Sequence, residues 1–206
     1  MNKKVGFLIA ALLTTVVLLG CAPKTPAGKP SDQTSAPAVS DKAITAKQAY
    51  EIAEPEARKE MSDAQPISIS GRPDRETLDG KSERWLVNYG KPDTTTNNFR
   101  VIIQDGKFQQ IGTFQFMTKP RPEQFSGTWI DSTKAAEVAT ANGAKCTYIE
   151  YELGYIEEGK LAGYSNPKIS SVLKSLERKF VWEIYCGGDY YFIDAVTGQF
   201  LDKVIP

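Results

Sequence analysis

The sequence predicts an α+β fold made of two tandem repeats, each with one helix packed on an antiparallel sheet of roughly three to four strands. Two observations lead to this prediction. Residues 44–53 align with residues 130–139 without a gap, and both segments have the apolar spacing of a helix. Each segment is followed by alternating, strand-like stretches and a closing turn that contains glycine. An extra helix is predicted as an insertion in the second repeat.

The helix of each repeat begins at a polar residue beside an isoleucine. Thr45 and Gln48 form a capping box in the first repeat, and Asp131 follows Ile130 in the second. Apolar residues then recur at helical spacing: Ala49, Ile52 and Ala53 in the first repeat, and Ala135, Val138 and Ala139 in the second.

The predicted strands alternate in hydrophobicity and are separated by turn residues. In the first repeat they are 66–70, 84–89, 99–104 and 107–111, and in the second 146–153, 180–186, 190–195 and 199–204. The dipeptides Asp105-Gly106 and Thr197-Gly198 precede the last strand of each repeat and are typical of hairpin turns.

The insertion covers residues 154–179, between the first two strands of the second repeat. Asn166 before Pro167 is typical of a helix start. The residues Ile169, Val172, Leu173 and Leu176 follow at helical spacing, which predicts a helix up to Arg178. The glycines before it lack the Walker pattern of a phosphate loop.

The N-terminus has the pattern of an export signal. Lys3 and Lys4 precede an apolar run of about fifteen residues, which is shorter than the roughly twenty that span a bilayer. The run ends in Leu18-Leu19-Gly20-Cys21, which resembles the lipobox of bacterial lipoproteins. The resemblance implies that residues 1–20 are a signal peptide, cut before Cys21, and that the Cys21 sulfur carries lipid. The alternatives are an ordinary signal peptide or an uncleaved signal anchor.

The segment after Cys21 is a predicted tether. Residues 21–43 are rich in Ala, Pro, Ser, Thr and Lys and contain one apolar β-branched residue, Val39, so we expect a disordered spacer between lipid and folded chain. The lipid would hold the protein on the cell membrane, on its extracytoplasmic face.

The remaining chain divides into the two repeats and their connection. The first repeat covers residues 44–112 and the second covers 129–206, with 113–128 between them. Aromatic residues at positions 114, 116, 125 and 129 predict that this connection is packed and that the repeats pack together.

The repeated unit resembles the PepSY domain of peptidase propeptides and bacterial envelope proteins. The features that match are the Thr45–Ala53 helix, the strands around Trp85 and Trp182, and the closing stretch that runs from Asp194-Ala195 to Thr197-Gly198. The resemblance implies a module without catalysis that binds and restrains a peptidase or other extracytoplasmic enzyme. The paired arrangement is also similar to that of β-lactamase inhibitory proteins.

Composition excludes several functional classes. The chain has 206 residues and no histidine, which excludes Ser-His-Asp and Cys-His nucleophile systems and histidine-ligated zinc. Its 25 basic and 25 acidic residues leave no net charge, which argues against nucleic-acid binding. The sequence predicts no enzyme activity, cofactor or metal.

Two cysteines remain beside Cys21. If Tyr151 pairs with Val181 on neighbouring antiparallel strands, Cys146 lies opposite Cys186, which predicts a disulfide outside the cytoplasm. The alternative is two buried free thiols that pack as small apolar groups.

Tyrosines concentrate in the second repeat and predict a partner-binding surface there. Seven of the nine tyrosines lie between positions 148 and 191. Because side chains alternate between the faces of a sheet, a single helix cannot cover all of these rings. The predicted contact residues are Tyr151, Tyr155, Tyr164, Trp182 and Tyr185. The alternative is that these residues simply suit strands.

Acidic residues also cluster in the second repeat, at Glu150, Glu152, Glu157, Glu158, Glu183 and Asp189. Solvated strand edges and loops account for them, and no EF-hand spacing is present. A small enzyme would instead require a pair such as Glu150 and Glu183 to converge in a pocket. The leading hypothesis is a lipoprotein that binds an extracytoplasmic protein, and the alternative is one that binds a small ligand or a cell-wall polymer.

Overall fold

The computed structural model describes residues 42–92, 97–113, 125, 127–156 and 166–206. The predicted signal peptide, Cys21 and the tether up to residue 41 lie outside the described residues. The fold is α+β, as predicted. In the described part of the chain, three helices pack on one eight-stranded sheet whose neighbouring strands are all antiparallel.

The helices are α1 (Ala46–Glu60), α2 (Ser132–Ala141) and α3 (Pro167–Ser175). The strands of the sheet are β2 (Gln65–Gly71), β4 (Arg84–Gly90), β5 (Phe99–Gln104), β6 (Lys107–Thr113), β7 (Ile149–Tyr155), β8 (Phe180–Cys186), β9 (Asp189–Asp194) and β10 (Phe200–Val204). Two short strands, β1 (Ile44–Thr45) and β3 (Lys81–Ser82), form a separate pair. The order across the large sheet is β10-β9-β8-β7-β2-β4-β5-β6.

The two halves of the chain are joined in the middle of this sheet. Strand β2 pairs with β7, with Ile69 opposite Leu153 and Gly71 opposite Tyr151. Each half therefore contributes four strands to one continuous sheet, whereas the sequence predicted a sheet within each repeat. The reason is that pairing β2 with β7 satisfies backbone groups that would otherwise form an exposed edge on each half.

The two faces of the sheet are covered unequally. Helices α1 and α2 pack on one face, in a core that includes Tyr191 and Ile193 of β9. Phe192 lies between these residues and faces the opposite side, because side chains alternate along a strand. It belongs to a second cluster with Ile169 and Leu173 of α3, which therefore covers the β8–β10 end of the opposite face.

Helix α1 begins with the predicted capping box. The Gln48 N–H donates to the Thr45 hydroxyl (3.4 Å), and the Thr45 N–H donates to the Gln48 side chain (3.0 Å). The helix continues through Pro55 to Glu60, beyond the segment that the repeat predicted. It does so because Ala57 extends the fully buried alanine stripe by one turn, and this packing offsets the hydrogen bond that proline removes.

The N-termini of α1 and α2 share a polar cap. The Asp131 carboxylate accepts hydrogen bonds from the backbone N–H groups of Ser132 (2.7 Å) and Lys47 (3.0 Å). The Ser132 hydroxyl accepts from the Ala46 N–H (2.9 Å) and donates to the Gly80 carbonyl (2.5 Å). Two residues of the second half thus satisfy amides that the first helix leaves without intrahelical partners.

The helix predicted to begin after Asn166 is present as α3, but it ends at Ser175 instead of Arg178. The Asn166 side chain accepts from the Lys168 N–H (2.9 Å), and Pro167 occupies the first turn. Ile169, Leu173 and Leu176 are buried against β8–β10.

The predicted disulfide between Cys146 and Cys186 is confirmed, but the strand register used to predict it is wrong. Tyr151 pairs with Ile184 instead of Val181, and Cys186 lies opposite Ile149. Cys146 precedes β7, with its Cα atom 4.8 Å from that of Cys186. The predicted register would have turned Glu183 toward the core face, since a three-residue shift exchanges faces. The crosslink closes a 40-residue loop and contributes about 2–4 kcal/mol by chain entropy.

Two aromatic residues at the end of the predicted connection are packed, as expected. Phe125 and Trp129 are 7% and 5% exposed, and both rings contact Tyr50 of α1. Phe125 also contacts Phe180 (5.1 Å between centroids) and Trp129 contacts Trp182 (6.2 Å). They bridge the two halves on the helix-covered face. Phe114 and Phe116 lie outside the described residues.

Gly71 provides a test of this packing. A Cβ atom there would lie 2.5 Å from the fully buried Trp85 ring, whose indole N–H donates to the Ile44 carbonyl (2.8 Å). We predict that Gly71→Ala lowers the free energy of unfolding by about 1–3 kcal/mol, because the held ring has no room to move. The matched control is Gly112→Ala, where a Cβ meets nothing within 4 Å. Urea denaturation of both variants measures the effect, and equal stability would contradict the predicted clash.

Candidate partner-binding face

The face of the sheet opposite α1 and α2 contains a cavity of about 570 Å³. We call this surface the open face, because among the described helices only α3 lies on it, at the β8–β10 end. The side chains that line the cavity and matter most for its chemistry are Arg72, Arg84, Leu86, Glu150, Glu152, Glu183, Tyr185 and Tyr190.

The strand registers place these side chains in two rows across the open face. One row is Arg84, Arg72, Glu150, Tyr185 and Tyr190. The last three are direct cross-strand neighbours, whereas Arg84 and Arg72 each lie one residue beyond the Gly71–Trp85 pair. The second row is Leu86, Ser70, Glu152 and Glu183, which are direct cross-strand neighbours. The chemical character of the side chains changes along both rows, starting from β4. The first row is basic at β4, acidic at β7 and aromatic at β8 and β9. The second row is apolar at β4 and acidic at β7 and β8.

A cluster of three side chains, Arg72, Tyr148 and Glu150, lies at the junction of the halves, and two of them, Arg72 and Glu150, line the cavity. The Arg72 guanidinium forms an ion pair with Glu150, and the Tyr148 hydroxyl donates to the same carboxylate oxygen. The guanidinium also lies 5.0 Å from the centroid of the Tyr148 ring. Arg72 comes from the first half and the other two residues from the second, so the cluster links both halves on the open face.

A ladder of tyrosines extends from this cluster along the cavity wall. The ring of Tyr148 lies 5.8 Å from that of Tyr185, which lies 4.9 Å from Tyr190. The disulfide links the chain beside the first two members of the ladder, because Cys146 lies two residues before Tyr148 and Cys186 directly follows Tyr185. The Gly187 N–H further donates to the Tyr148 carbonyl (3.0 Å).

Two carboxylates lie side by side on the cavity floor. Glu152 of β7 is directly opposite Glu183 of β8, and the Glu183 residue is 6% exposed. Like charges at directly opposed positions repel each other. The β7–β8 side of the cavity floor therefore carries two neighbouring carboxylates.

The β4–β5 side of the open face is basic. The Arg100 Nε–H donates to the Asn88 side chain (2.7 Å), and the Asn88 amide donates to the Ser68 hydroxyl (2.8 Å). Burial, followed by repulsion from the Arg84 guanidinium, lowers the pKa of Arg100. Alternation along β4 and β5 places Arg84 and Arg100 on this same face.

The structure corrects part of the predicted contact surface. Tyr151 and Trp182 are 1% and 0% exposed, respectively, and both pack in the core beneath the helices. They cannot supply a docking surface, because their positions in the register point toward α1 and α2. Tyr155 is half-buried and stacks on Phe180 on the same side. Of the predicted residues, Tyr185 lies on the open face, and Tyr164 is outside the described residues.

Sequence reasoning missed the importance of Tyr148, Tyr190 and Arg72. The two tyrosines belonged to the noted cluster, but their face depends on the β7–β8–β9 registers. Alternation along β8 separates Trp182 from Tyr185, so a correct position for the helices would have selected Tyr185 over Trp182. Arg72 had no signal in the sequence, because the β2–β7 pairing brings it beside Glu150.

The acidic residues that cluster in the sequence of the second half lie at different places in the structure. Glu150 and Glu183 both line the cavity, and Asp189 pairs with Lys203 (2.9 Å). Glu157 and Glu158 lie outside the described residues. In the part of the chain that the structure describes, no group of three or more Cys, Asp or Glu residues is arranged to hold a metal ion.

Comparison of the chain with family models, curated proteins and solved structures finds no match. No helix within the described ranges combines the length and apolar character that a membrane span requires.

Two buried tyrosine hydroxyls differ in one respect. The Tyr151 hydroxyl accepts a hydrogen bond from the Gly80 N–H (3.0 Å), whereas the Tyr89 hydroxyl has no hydrogen-bond partner among the described residues. Burial is the main cause that raises the pKa of both tyrosines above the usual value. Both phenols therefore stay protonated in the folded chain at pH values where they ionise in the unfolded chain.

We predict opposite effects of phenylalanine at these two positions at neutral pH. Tyr151→Phe lowers the free energy of unfolding by about 1–3 kcal/mol, because the buried Gly80 N–H loses its acceptor. Tyr89→Phe leaves stability unchanged or raises it by up to about 1 kcal/mol, because it removes a buried polar group. Urea denaturation compares the two variants, and an equal loss in both would contradict the assignment.

The same tyrosines predict a loss of stability at alkaline pH. Above about pH 10 the unfolded chain releases phenolic protons that the folded chain retains, so the free energy of unfolding falls as pH rises. Tyr89→Phe makes this fall shallower, since one group with a raised pKa is gone. Urea denaturation between about pH 8 and pH 11, a range that includes the usual tyrosine pKa of about 10, tests this prediction. Parallel curves for the variant and the native chain would contradict it.

Proposed function

We propose that the protein is an extracytoplasmic lipoprotein without catalytic activity that binds another envelope protein through the open face. The observation that carries the proposal is the cavity between the tyrosine ladder and Arg84. Tyrosine and arginine are enriched at the centres of protein interfaces, where they provide large contact area and directed hydrogen bonds. The partner is an extracytoplasmic protein, and an enzyme such as a peptidase fits the PepSY resemblance.

The proposal includes two tandem PepSY-like repeats, one in each half of the sheet. Equivalent contacts support it. The Trp85 indole donates to the carbonyl of Ile44 (2.8 Å), and the Trp182 indole donates to that of Ile130 (2.9 Å). Each isoleucine is the residue before the N-cap of its helix, Thr45 or Asp131.

The hairpin turns add a second equivalence between the halves. Gly106 and Gly198 both have positive φ values, of 70° and 74°. A Cβ atom at these glycines would lie 3.3 Å from Ile44 and 3.6 Å from Ile130, respectively. Each turn therefore packs against the isoleucine that precedes the helix of its own half. The two glycines occupy corresponding positions in the predicted repeats, and so do the two isoleucines that they contact.

The proposal places the folded part outside the cytoplasmic membrane, tethered through lipid on Cys21. The lipobox-like Leu18–Cys21 stretch supports the anchor. The Cys146–Cys186 disulfide agrees with an oxidising compartment. A tether of residues 21–43 would leave the open face free to meet proteins at the membrane surface.

A second candidate function is binding of a small ligand or a cell-wall polymer. The volume of the cavity, about 570 Å³, is in the range of small-molecule sites. Its tyrosines offer rings on which sugars stack, and its carboxylates and guanidinium groups offer hydrogen bonds. The two candidates use the same surface, so one experiment compares them.

We predict that Leu86→Arg on the open face weakens partner capture at least about tenfold. The new side chain fills the cavity beside Arg84. Leu86 is half-buried at the cavity and lies outside the core, so the substitution leaves the core intact. The lipidated full chain in detergent is immobilised and exposed to envelope proteins and, separately, to isolated peptidoglycan. The matched control is Val196→Arg at a 58% exposed position in the β9–β10 turn.

The expected result is a stoichiometric protein that binds the native chain and the control, and binds Leu86→Arg at least about tenfold more weakly. Equal capture by both arginine variants would show that the open face is not the binding surface. Saturable binding to peptidoglycan with no captured protein would instead support the polymer-binding function.

A further inference from the structure

The β4 side of the open-face cavity presents a guanidinium to solvent. Arg84 is exposed and lines the cavity from β4, an interior strand of the sheet between β2 and β5. Its cross-strand neighbour on β5 is Gln104, which is uncharged. On the β2 side, the first residue beyond the paired positions is Arg72, a second cation. No carboxylate therefore lies at the cross-strand positions that flank Arg84.

The two neighbouring arginines differ in what their side chains contact. The Arg72 guanidinium forms an ion pair with Glu150 on β7. The Arg84 side chain, in contrast, forms no ion pair and no hydrogen bond with any residue that the structure describes. Asp74 also lines the cavity but forms no ion pair with Arg84. Arg84 therefore lacks the carboxylate partner that Arg72 has.

We infer that Arg84 binds the carboxylate of an aspartate or glutamate side chain that the partner protein presents to the cavity. This inference rests on the proposed function and names the chemistry of one contact within it. The N–H groups of an arginine bind a carboxylate in a planar, bidentate arrangement, which is stronger than a hydrogen bond between neutral groups. Because the site is a cavity, a bound partner shields this ion pair from water and salt.

The neighbours of Arg84 suit the rest of such a side chain. Leu86 lies two residues along β4 on the same face, and Ser70 lies directly opposite Leu86. The Ser70 hydroxyl lines the cavity and forms no hydrogen bond with another described residue, so it is available to donate to the same carboxylate. Leu86 and its cross-strand neighbour Ile102 are half-buried and offer apolar surface to the methylene groups of the bound side chain.

The same arrangement ranks the side chains that a partner could present here. A carboxylate gains both the attraction of the Arg84 charge and the hydrogen bonds of its N–H groups. A neutral amide of the same size keeps hydrogen bonds but loses the attraction between charges. An ammonium is repelled by the guanidinium. The order of affinity expected at Arg84 is therefore glutamate, then glutamine, then lysine.

A titration with short peptides tests the inference. The probes are acetyl-Gly-Glu-Gly-amide and its Gln and Lys counterparts, whose blocked ends leave the central side chain as the only difference. They are added to the full chain in non-ionic detergent with ¹³C-labelled leucine methyl groups. The Leu86 signals, assigned through Leu86→Ile, report binding beside Arg84. We expect a saturable shift with the Glu peptide, at least about fivefold weaker binding of the Gln peptide, and no saturation with the Lys peptide.

Variants of single cations separate this site from general attraction between charges. Arg84→Gln should weaken binding of the Glu peptide roughly five- to tenfold. Arg84→Lys keeps the charge but loses the planar fork, and should weaken binding roughly two- to threefold. The matched control is Lys107→Gln, because Lys107 is exposed opposite Gln104 and is not among the residues that line the cavity.

The control removes the same charge from the same face and should change binding of the Glu peptide by less than about twofold. Three results would overturn the inference. They are the absence of a saturable shift with the Glu peptide, equal binding of the Glu and Gln peptides, and equal losses in Arg84→Gln and Lys107→Gln.

The outcome is distinguishable from failure of the proposed function. If capture of a protein is weakened by Leu86→Arg but is unaffected by Arg84→Gln, the open face binds its partner without a carboxylate at Arg84, which overturns the inference alone. If capture is equal for Leu86→Arg and Val196→Arg, the face itself is not the binding surface, and the proposed function fails. The inference is supported when Arg84→Gln weakens both the capture of the protein and the binding of the Glu peptide.

Discussion

The pairing of β2 with β7 is the constraint on which the rest of the fold depends. It converts two four-stranded halves into one sheet and fixes the position of each half along the strand direction, with Ile69 opposite Leu153. Without it, two strands would present unpaired backbone groups at the centre of the molecule, and each half would bury a core too small to be more than marginal. The helices and the open face both take their positions from this register.

Contacts on both faces of the sheet reinforce the junction. On the helix-covered face, Asp131 and Ser132 cap the first turn of α1 as well as that of α2. On the open face, Arg72 of the first half pairs with Glu150 of the second. Between them, Gly80 donates to the Tyr151 hydroxyl and accepts from Ser132, so the chain that leaves β2 is fixed to the second half at two points. The cavity lies over this junction, and each half contributes different chemistry to it: guanidinium groups from the first, carboxylates and phenol rings from the second.

Much of this fold was predictable from local sequence. The capping box at Thr45, the Asn166-Pro167 helix start and most strand positions follow from residue types at short spacing, and the structure agrees with them. Contacts that depend on register were not predictable. The Cys146–Cys186 disulfide was correct although the pairing of Tyr151 was wrong, because cysteines near the ends of adjacent strands meet under more than one register. Because the register was unknown, Trp182 and Tyr151 were predicted to lie on a binding surface. In the structure both are buried on the face that α1 and α2 cover. No local pattern indicates that β2 of one half pairs with β7 of the other, so the cavity, which arises from that pairing, was outside the reach of the sequence.

Differential scanning calorimetry of the disulfide-intact chain tests the central claim most directly. If the β2–β7 pairing and the shared helix cap make the two halves one structural unit, the folded region unfolds in a single transition, with a ratio of calorimetric to van't Hoff enthalpy of about 1. Two transitions, or a ratio near 2 (roughly the value for two independent units of similar size), would show that the halves unfold separately. That result would contradict the account in which the junction holds the sheet, the helices and the open face together.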